Sequence, residues 1–184
     1  AGMFTAALPI LKTTDQFGAT LGSGVNADPF AANLVLALPM NGSNNGTTFT
    51  DQSAAIKGSG SAKVITRTGN TKTVTTTSNY YGSSGYFDGS GDYLSVSNSS
   101  DFDFESNDFT VECWVRLNSI SGDQYIINWA GESGNPFHQG INIYNGNWRI
   151  GGFNNYLIGG STGLVANKWF HIAMVRKGGQ LSAF

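Results

Sequence analysis

Residues 109–117 carry the feature that most restricts the fold of this chain. In the segment FTVECWVRL, apolar side chains occupy every odd position, while Thr, Glu, Trp and Arg occupy the even ones. Successive side chains of a β-strand point to opposite faces, so this alternation predicts a strand with one apolar and one mixed face. Such a strand has to cover a core, and further strands have to pair with it.

Short β-prone runs separated by turn residues predict those further strands. The predicted elements are a first core strand at Leu34–Met40, a hairpin over Ala62–Thr77 about Gly69-Asn70, a hairpin over Tyr86–Ser97 about the turn Asp88–Asp92, and the strands Gln124–Trp129, Trp169–Lys177 and Leu181–Phe184. With 184 residues, 25 glycines and only 12% charged residues, the chain suits one all-β domain of short strands joined by turns.

The clearest hairpin surrounds Asn145-Gly146, a pair that strongly favours a two-residue type I′ turn. This turn sets the register of the flanking strands. It places Asn142 opposite Arg149 and Tyr144 opposite Asn147 on one face, and the pairs Ile143–Trp148 and Ile141–Ile150 on the other. The second face is apolar, so we expect it to point to the core.

The chain divides into an irregular N-terminal arm, residues 1–33, and a domain, residues 34–184. The arm carries apolar residues without a sustained period and is interrupted by Gly18, Gly22, Gly24 and Pro29. It is predicted to be either a disordered tail or a strap that docks on another subunit. Its start at Ala1 fits removal of an initiator Met and makes a poor signal peptide, which favours synthesis in a cytoplasm.

Charge and apolar runs argue against two classes of partner. The net charge is −2, whereas a nucleic-acid surface needs clustered Lys and Arg. No apolar run approaches the roughly 20 residues that cross a bilayer, so membrane insertion is not expected. The single cysteine, Cys113, excludes an intrachain disulfide and is predicted to be a buried, inert thiol.

Three blocks in order, GYFDGSGDYLSV, DFTVECWVRL and NKWFHIAMVRKGGQL, resemble the laminin-G-like family of the concanavalin A-like lectin/glucanase superfamily. The resemblance spans Leu34 to Phe184 and implies an antiparallel jelly-roll β-sandwich. Such sandwiches often bind glycans or proteins through edge loops or the concave sheet. The opening DPFAANLVLALPMNG looks like versions encoded by tailed bacteriophages, especially marine ones.

The chain departs from the family at its end. The family continues beyond the position of Phe184 with an Asn-Gly turn and several strands, so the sandwich is expected to lack its last strands. Either the chain is a fragment, or another subunit covers the missing edge. An open sheet edge invites pairing, and we therefore expect a neighbouring chain to cap it.

The resemblance also bears on catalysis. Related glucanases carry two Glu about an Asp on one strand, and here the corresponding strand offers only Glu112. Hydrolysis of a glycosidic bond needs two carboxylates. Glu112 is therefore predicted to be an ion-pair partner, His171 a structural histidine, and the protein not an enzyme.

Two ligand sites are predicted. Calcium needs six to eight oxygen ligands, and Asp88 and Asp92 flank a tight turn, with Asn98, Asp101 and Asp103 shortly after it. Capping of the turn by these side chains is the alternative. A glycan site is predicted from aromatic and planar polar groups: Asn142, Tyr144, Asn147 and Arg149 on the hairpin, with Tyr156 on the next loop. An ordinary solvated sheet face is its alternative.

These observations predict a non-enzymatic structural protein of a phage virion that carries a lectin-like adhesion domain. It would be a capsid decoration, a fibre subunit or a tail appendage subunit, made in the host cytoplasm. Its expected partners are other virion proteins, copies of itself and host cell-surface glycans. The first alternative is a free carbohydrate-binding module of a bacterial protein, and the second is a glucanase-like hydrolase.

Overall fold

The computed structural model describes residues 2–5, 30–104, 106–129, 139–152, 155–161 and 163–184. Twelve strands and one short α-helix lie in these ranges. The strands are β1 (Gly2–Thr5), β2 (Ile65–Thr68), β3 (Lys72–Val74), β4 (Ser84–Phe87), β5 (Tyr93–Val96), β6 (Phe109–Leu117), β7 (Asp123–Trp129), β8 (Gln139–Tyr144), β9 (Asn147–Gly152), β10 (Asn155–Ser161), β11 (Trp169–Lys177) and β12 (Gln180–Ala183), and the helix is α1 (Ser53–Lys57). Within these ranges, no helix has the length and apolar character to cross a membrane.

Two antiparallel sheets contain ten of the twelve described strands. The larger sheet has the order β12-β11-β6-β1-β4-β3, the smaller has the order β10-β9-β8-β7, and β2 pairs with β5 outside both sheets. Apolar side chains from both sheets, with Leu164 from the connection between β10 and β11, form the main core: Cys113, Val115, Leu117, Ile141, Ile143, Ile150, Leu164, Ile172 and Met174. Two sheets packed on one core make an all-β sandwich, which confirms the predicted fold class.

Strand β6 has the bounds that the alternation predicts, Phe109–Leu117. Its residues Cys113, Val115 and Leu117 are buried, and Phe109 packs against the same core. Strand β11 pairs with β6 along nearly its whole length. The alternation therefore predicted both the strand and its buried face.

The β8–β9 hairpin has the predicted register at all four pairs. Both turn residues have positive φ, 48° at Asn145 and 74° at Gly146, as a type I′ turn requires. Ile143 and Ile150 are fully buried, and Trp148 packs against the core. The opposite face of this hairpin is therefore left for polar residues.

The two hairpins predicted between residues 62 and 97 are wrong. Strand β2 pairs with β5, and β3 pairs with β4, so neither turn joins two paired strands. Residues 65–74 and 84–96 instead form one long ribbon that bends at both turns and passes into the larger sheet. The Asp92 carboxylate holds the bend, because it accepts hydrogen bonds from the backbone N–H groups of Asn70 and Asp88.

The predicted first strand, Leu34–Met40, is not a strand. Its backbone is held by a side chain instead, since the Ala37 N–H donates to Asp51 Oδ1 at 3.0 Å. Its later apolar side chains are still buried, and Leu38 and Met40 form a second, smaller cluster with Phe49. The apolar run therefore predicted burial correctly and secondary structure incorrectly, because a carboxylate takes the place of a neighbouring strand.

The predicted irregular arm, residues 1–33, begins with a strand. Strand β1 lies between β4 and β6, with Phe4 opposite Gly85 on one side and Val115 on the other. The sandwich therefore includes residues that precede position 34. Residues 6–29 lie outside the described ranges, so docking of the arm on another subunit stays a prediction.

Strand β12 forms the edge of the larger sheet, and it corresponds to the strand predicted at Leu181–Phe184. Phe184 and Ala173 exchange two backbone hydrogen bonds of 2.9 Å, which continue the pairing past Ala183. The Phe184 side chain is 69% exposed. Capping of this edge by a neighbouring chain stays a prediction.

Candidate functional site

The hairpin residues predicted to bind a glycan lie on the face of the smaller sheet that points away from the core. Directly opposed residues of antiparallel strands share a face. Two rows across β7, β8 and β9 make up this face. We call them together the polar face: Tyr125, Asn142 and Arg149 in one row, and Asp123, Tyr144 and Asn147 in the next.

Asp123 organises the polar face. Its Oδ1 accepts a hydrogen bond from Asn142 Nδ2 at 3.3 Å and lies 3.8 Å from Arg149 Nη1. The Arg149 guanidinium carbon in turn lies 3.8 Å from the centre of the Tyr144 ring, a cation–π distance. One carboxylate therefore orients an amide and a guanidinium, and the guanidinium covers one face of an aromatic ring.

The polar face differs from an ordinary solvated sheet in its burial. Asn142 is only 5% exposed although it points away from the core, whereas Tyr125 beside it is 56% exposed and Tyr144 is 36% exposed. Exposed aromatic rings beside a guanidinium that Asp123 holds can orient a bound sugar, because sugar rings stack on aromatics and sugar hydroxyls pair with planar polar groups. The buried Asn142 amide donates to Asp123 and so helps to fix that carboxylate. The polar face therefore has the groups that bind a sugar, and among its six residues only Asp123 is a carboxylate.

Two residues of the predicted glycan site, Asn147 and Tyr156, contribute less to the polar face than the others. Asn147 turns its amide to the hairpin, since Nδ2 donates to the carbonyls of Asn145 at 3.1 Å and Tyr144 at 3.4 Å. The prediction that Tyr156 lies on a loop is wrong, because it is in β10, which pairs with β9 and places Tyr156 opposite Gly151. Its side chain is outside the described part of the chain. The geometry thus centres the site on Asn142, Tyr144 and Arg149.

Sequence reasoning missed Asp123 and Tyr125. The register of β7 shifts between Tyr125 and Ile127, so that Tyr125 faces outward with Asn142 while Ile127 pairs with Ile141 on the core side. This irregularity hides the alternation in the segment DQYIINW. Its first three residues, Asp, Gln and Tyr, do not alternate between polar and apolar, so no local pattern marked Asp123 and Tyr125 as outward-facing.

The mixed face of β6 carries a second group of aromatic and ionisable side chains. Glu112 Oε2 lies 3.4 Å from His171 Nε2, so these two form an ion pair when the histidine is protonated. The Trp114 ring lies 5.3 Å from the rings of both His171 and Tyr80. Glu112 thus has the ion-pair position that was predicted for it, on the same face as a tryptophan.

Cys113 lies on the opposite face of β6, inside the main core. Burial, together with the nearby Glu112 charge, raises the pKa of Cys113 to about 12. The thiol therefore stays protonated at physiological pH and lacks the thiolate character that reactive cysteines need.

The carboxylates of Asp88 and Asp92 are used by the bend of the ribbon. Asp92 Oδ2 accepts from the Asp88 N–H at 2.8 Å, and its Oδ1 accepts from the Asn70 N–H. Asp88 Oδ1 accepts from the Ser90 N–H at 2.7 Å, and its Oδ2 accepts from Asn70 Nδ2 at 3.4 Å. All four oxygens thus cap the turn, and calcium would have to displace these bonds.

The other acidic residues considered for calcium lie apart from this bend. Asp101 pairs with Lys63 at 2.6 Å, and this hydrogen bond and charge lower the pKa of Asp101. Within the described ranges, no group of three or more His, Cys, Asp and Glu side chains is close enough to hold a metal ion. The calcium site stays a prediction.

Comparison with known proteins adds one match. A laminin G family model, described as concanavalin A-like lectin/glucanases superfamily, matches residues 88–184, which is more than half of the chain. Neither the curated proteins nor the solved structures include a significant match to the chain. The matched residues contain the polar face, whereas Gly69 and Asn70 of the bend precede them.

Proposed function

The chain belongs to the concanavalin A-like lectin/glucanases superfamily, and we propose that it is a non-enzymatic, lectin-like adhesion module of a phage virion structural protein. The observation that carries the proposal is the polar face of the smaller sheet. There Asp123 orients a buried Asn142 and the guanidinium of Arg149, beside two exposed tyrosines.

The polar face suits a sugar better than an apolar or a strongly charged ligand. Exposed Tyr125 and Tyr144 each offer a ring face and a phenol hydroxyl, and the Arg149 guanidinium offers hydrogen-bond donors. Arg149 and Asp123 compensate each other in charge, so the face as a whole presents hydrogen bonds rather than net charge. Neutral glycans are therefore the expected ligands.

The absence of catalysis is part of the proposal and is supported by the outward-facing residues of β6. These residues are Thr110, Glu112, Trp114 and Arg116, which provide a single carboxylate, and that carboxylate faces His171. Two carboxylates about 5–10 Å apart are needed to cleave a glycosidic bond. A glucanase would need its second acid from elsewhere in the chain.

The proposed virion role is supported by the amino-acid sequence and not by the geometry of the polar face. The segment DPFAANLVLALPMNG resembles phage-encoded versions of the family, and a low charged fraction of 12% suits a domain that is repeated in an assembly. In this role the module would sit on the particle surface among other virion proteins and copies of itself. It would contact host cell-surface glycans.

A glycan array followed by calorimetric titration tests the binding role. We expect Arg149→Met and Tyr125→Ala each to weaken binding of the selected glycan by about tenfold or more, because each removes a direct contact. Tyr93→Ala is the matched control, since Tyr93 is 53% exposed but lies on β5, away from the polar face. Equal affinity for all four proteins would contradict the proposed site.

The location is tested separately by sedimentation of purified particles from the source. The chain should co-sediment with virions if it is a structural subunit, and a chain that stays in the supernatant would favour the free lectin module. Hydrolysis of a glucan that disappears in Glu112→Gln would overturn the non-enzymatic role.

A further inference from the structure

A second polar cleft lies at the bend of the long ribbon, away from the polar face. Its volume is about 450 Å³, which is in the range of small-ligand sites. Its lining includes the side chains of Asn45, Arg67, Asn70, Lys72, Tyr86 and Asp88. The glycan prediction used none of these residues.

Backbone pairing builds the walls of this cleft. Lys72 of β3 lies directly opposite Tyr86 of β4, so both side chains are on one face of the larger sheet. The edge of β3 is covered by a loop, because Asn45 N–H donates to the Thr73 carbonyl and Thr73 N–H donates to the Gly46 carbonyl, both at 2.8 Å. The cleft is therefore framed by backbone and does not depend on flexible side chains alone.

Two of the three charged groups in the lining are held in place. Arg67 Nη2 donates to the Gly69 carbonyl at 2.7 Å, and its Nε donates to the Thr71 carbonyl. The Asp88 carboxylate accepts from Ser90 N–H and Asn70 Nδ2. The hydrogen bond from Ser90, followed by that from Asn70, lowers the pKa of Asp88, so this group is ionised at neutral pH.

Lys72 is the charged group without a partner. It is half-buried, and within the described ranges its ammonium group makes no hydrogen bond or ion pair. Arg67 still has donors that the two carbonyls do not use, because a guanidinium carries five. The lining therefore has two positive charges and one negative charge, with amides and a phenol between them.

We propose that this cleft binds a uronic acid unit of an acidic polysaccharide, a sugar that carries one carboxylate. The carboxylate pairs with Lys72 and Arg67, and the sugar hydroxyls bond to the amides of Asn45 and Asn70. A single negative charge balances the surplus of the lining, whereas Asp88 repels a dianion such as phosphate. The inference rests on the proposed function, because it assumes that the protein binds glycans, but the residues of the cleft are different from those of the polar face.

Titration with an oligogalacturonate, and with a neutral oligosaccharide of the same length, tests this inference. We expect the acidic oligosaccharide to bind and the neutral one to bind at least about tenfold more weakly at this site. Lys72→Met should weaken uronate binding by about tenfold or more, while Lys72→Arg should largely keep it. Lys177→Met is the control, because it removes the same charge from an exposed lysine of β11.

Several outcomes would overturn the inference. Uronate binding that is unchanged in Lys72→Met, or equally weakened in Lys177→Met, would mean general charge attraction. Inorganic phosphate that competes as well as the uronate would indicate a simple anion site. Arg149→Met distinguishes this inference from the proposed function, because it should leave uronate binding to the cleft intact. If Arg149→Met abolished uronate binding, the uronate would bind on the polar face instead.

Discussion

The two halves of the sandwich are held together in different ways. Among the described residues from β6 onward, the fully buried side chains are apolar, as at Ile141, Ile143, Ile150 and Ile172. Among the described residues before β6, those with 3% exposure or less are mostly polar: Asp51, Ser53, Thr71, Thr73, Ser83 and Ser84, with Ala31 and Ala37. The second half is a packed apolar core, and the first half is a set of turns and short strands joined by buried hydrogen bonds.

Asp51 shows how the first half works. Its carboxylate, on a residue only 3% exposed, accepts from the Ala37 N–H, from the Ser53 N–H and hydroxyl, and from the Lys63 N–H, at 2.8–3.0 Å. One side chain thus ties three separate segments together. Buried backbone groups need partners, and a carboxylate can supply them where no strand lies alongside.

The sharpest test compares one residue from each half. We expect Asp51→Ala to lower the free energy of unfolding by about 3 kcal/mol, because four donors lose their acceptor. Ile143→Ala should cost a similar amount, about 3–4 kcal/mol, through the cavity left in the main core. Urea unfolding of both variants measures the two losses.

Asp103→Ala is the control for this pair, since Asp103 is an exposed acid whose side chain makes no hydrogen bond within the described ranges. Asp103→Ala should lower the free energy of unfolding by less than about 0.5 kcal/mol. If Asp51→Ala were as mild as this control, the first half would be held by its small apolar cluster instead.

A smaller effect is expected at the bend of the ribbon, within the first half. A Cβ added at Gly69, where φ is 72°, would lie 2.2 Å from Asp92 Oδ1 and 2.8 Å from the Gly91 carbonyl. Gly69→Ala should therefore cost about 2–3 kcal/mol, by backbone strain and by displacing the carboxylate that holds the bend.

Gly82→Ala is matched to this change, because Gly82 has φ of 73° but open space around the added atom. It should cost only about 1 kcal/mol, from backbone strain alone. Thermal or urea unfolding of the two variants measures the difference. Equal losses would show that the Asp92 carboxylate does not hold the bend.

The smallest expected effect is a loss of folding stability at acidic pH, which arises from Asp51 in the first half. Burial alone raises the pKa of Asp51, but hydrogen bonds from Lys63, Ser53 and Ala37 together outweigh it and lower the pKa below its usual value. A lowered folded-state pKa contributes stability above the unfolded pKa of about 4, and this is lost as pH falls through the folded value.

Unfolding midpoints measured from pH 6 to pH 2 in wild type and Asp51→Asn check this. The wild-type midpoint should fall more steeply below about pH 4 than that of the variant, because only wild type has this carboxylate to protonate. Parallel curves would show that Asp51 does not link folding to protons.

The same division accounts for most of the difference between what the sequence predicted and what it did not. The strand at Phe109–Leu117 and the hairpin at Asn145-Gly146 were predicted with their faces and register, and with them came Asn142, Tyr144 and Arg149 of the candidate site. The predicted strand at Leu34–Met40 and the two hairpins between residues 62 and 97 were wrong. Those errors fall in the half that buried polar groups hold.

Local pattern alone determined the strands of the apolar core and the turn between β8 and β9. The reason is that side-chain period and the positive φ of an Asn-Gly pair are properties of adjacent residues. Tertiary structure alone decided that β2 pairs with β5, that Asp51 replaces a strand partner, and that an irregular β7 brings Tyr125 and Asp123 to the polar face. Each of these depends on hydrogen bonds between residues distant in the chain, and no local period records them.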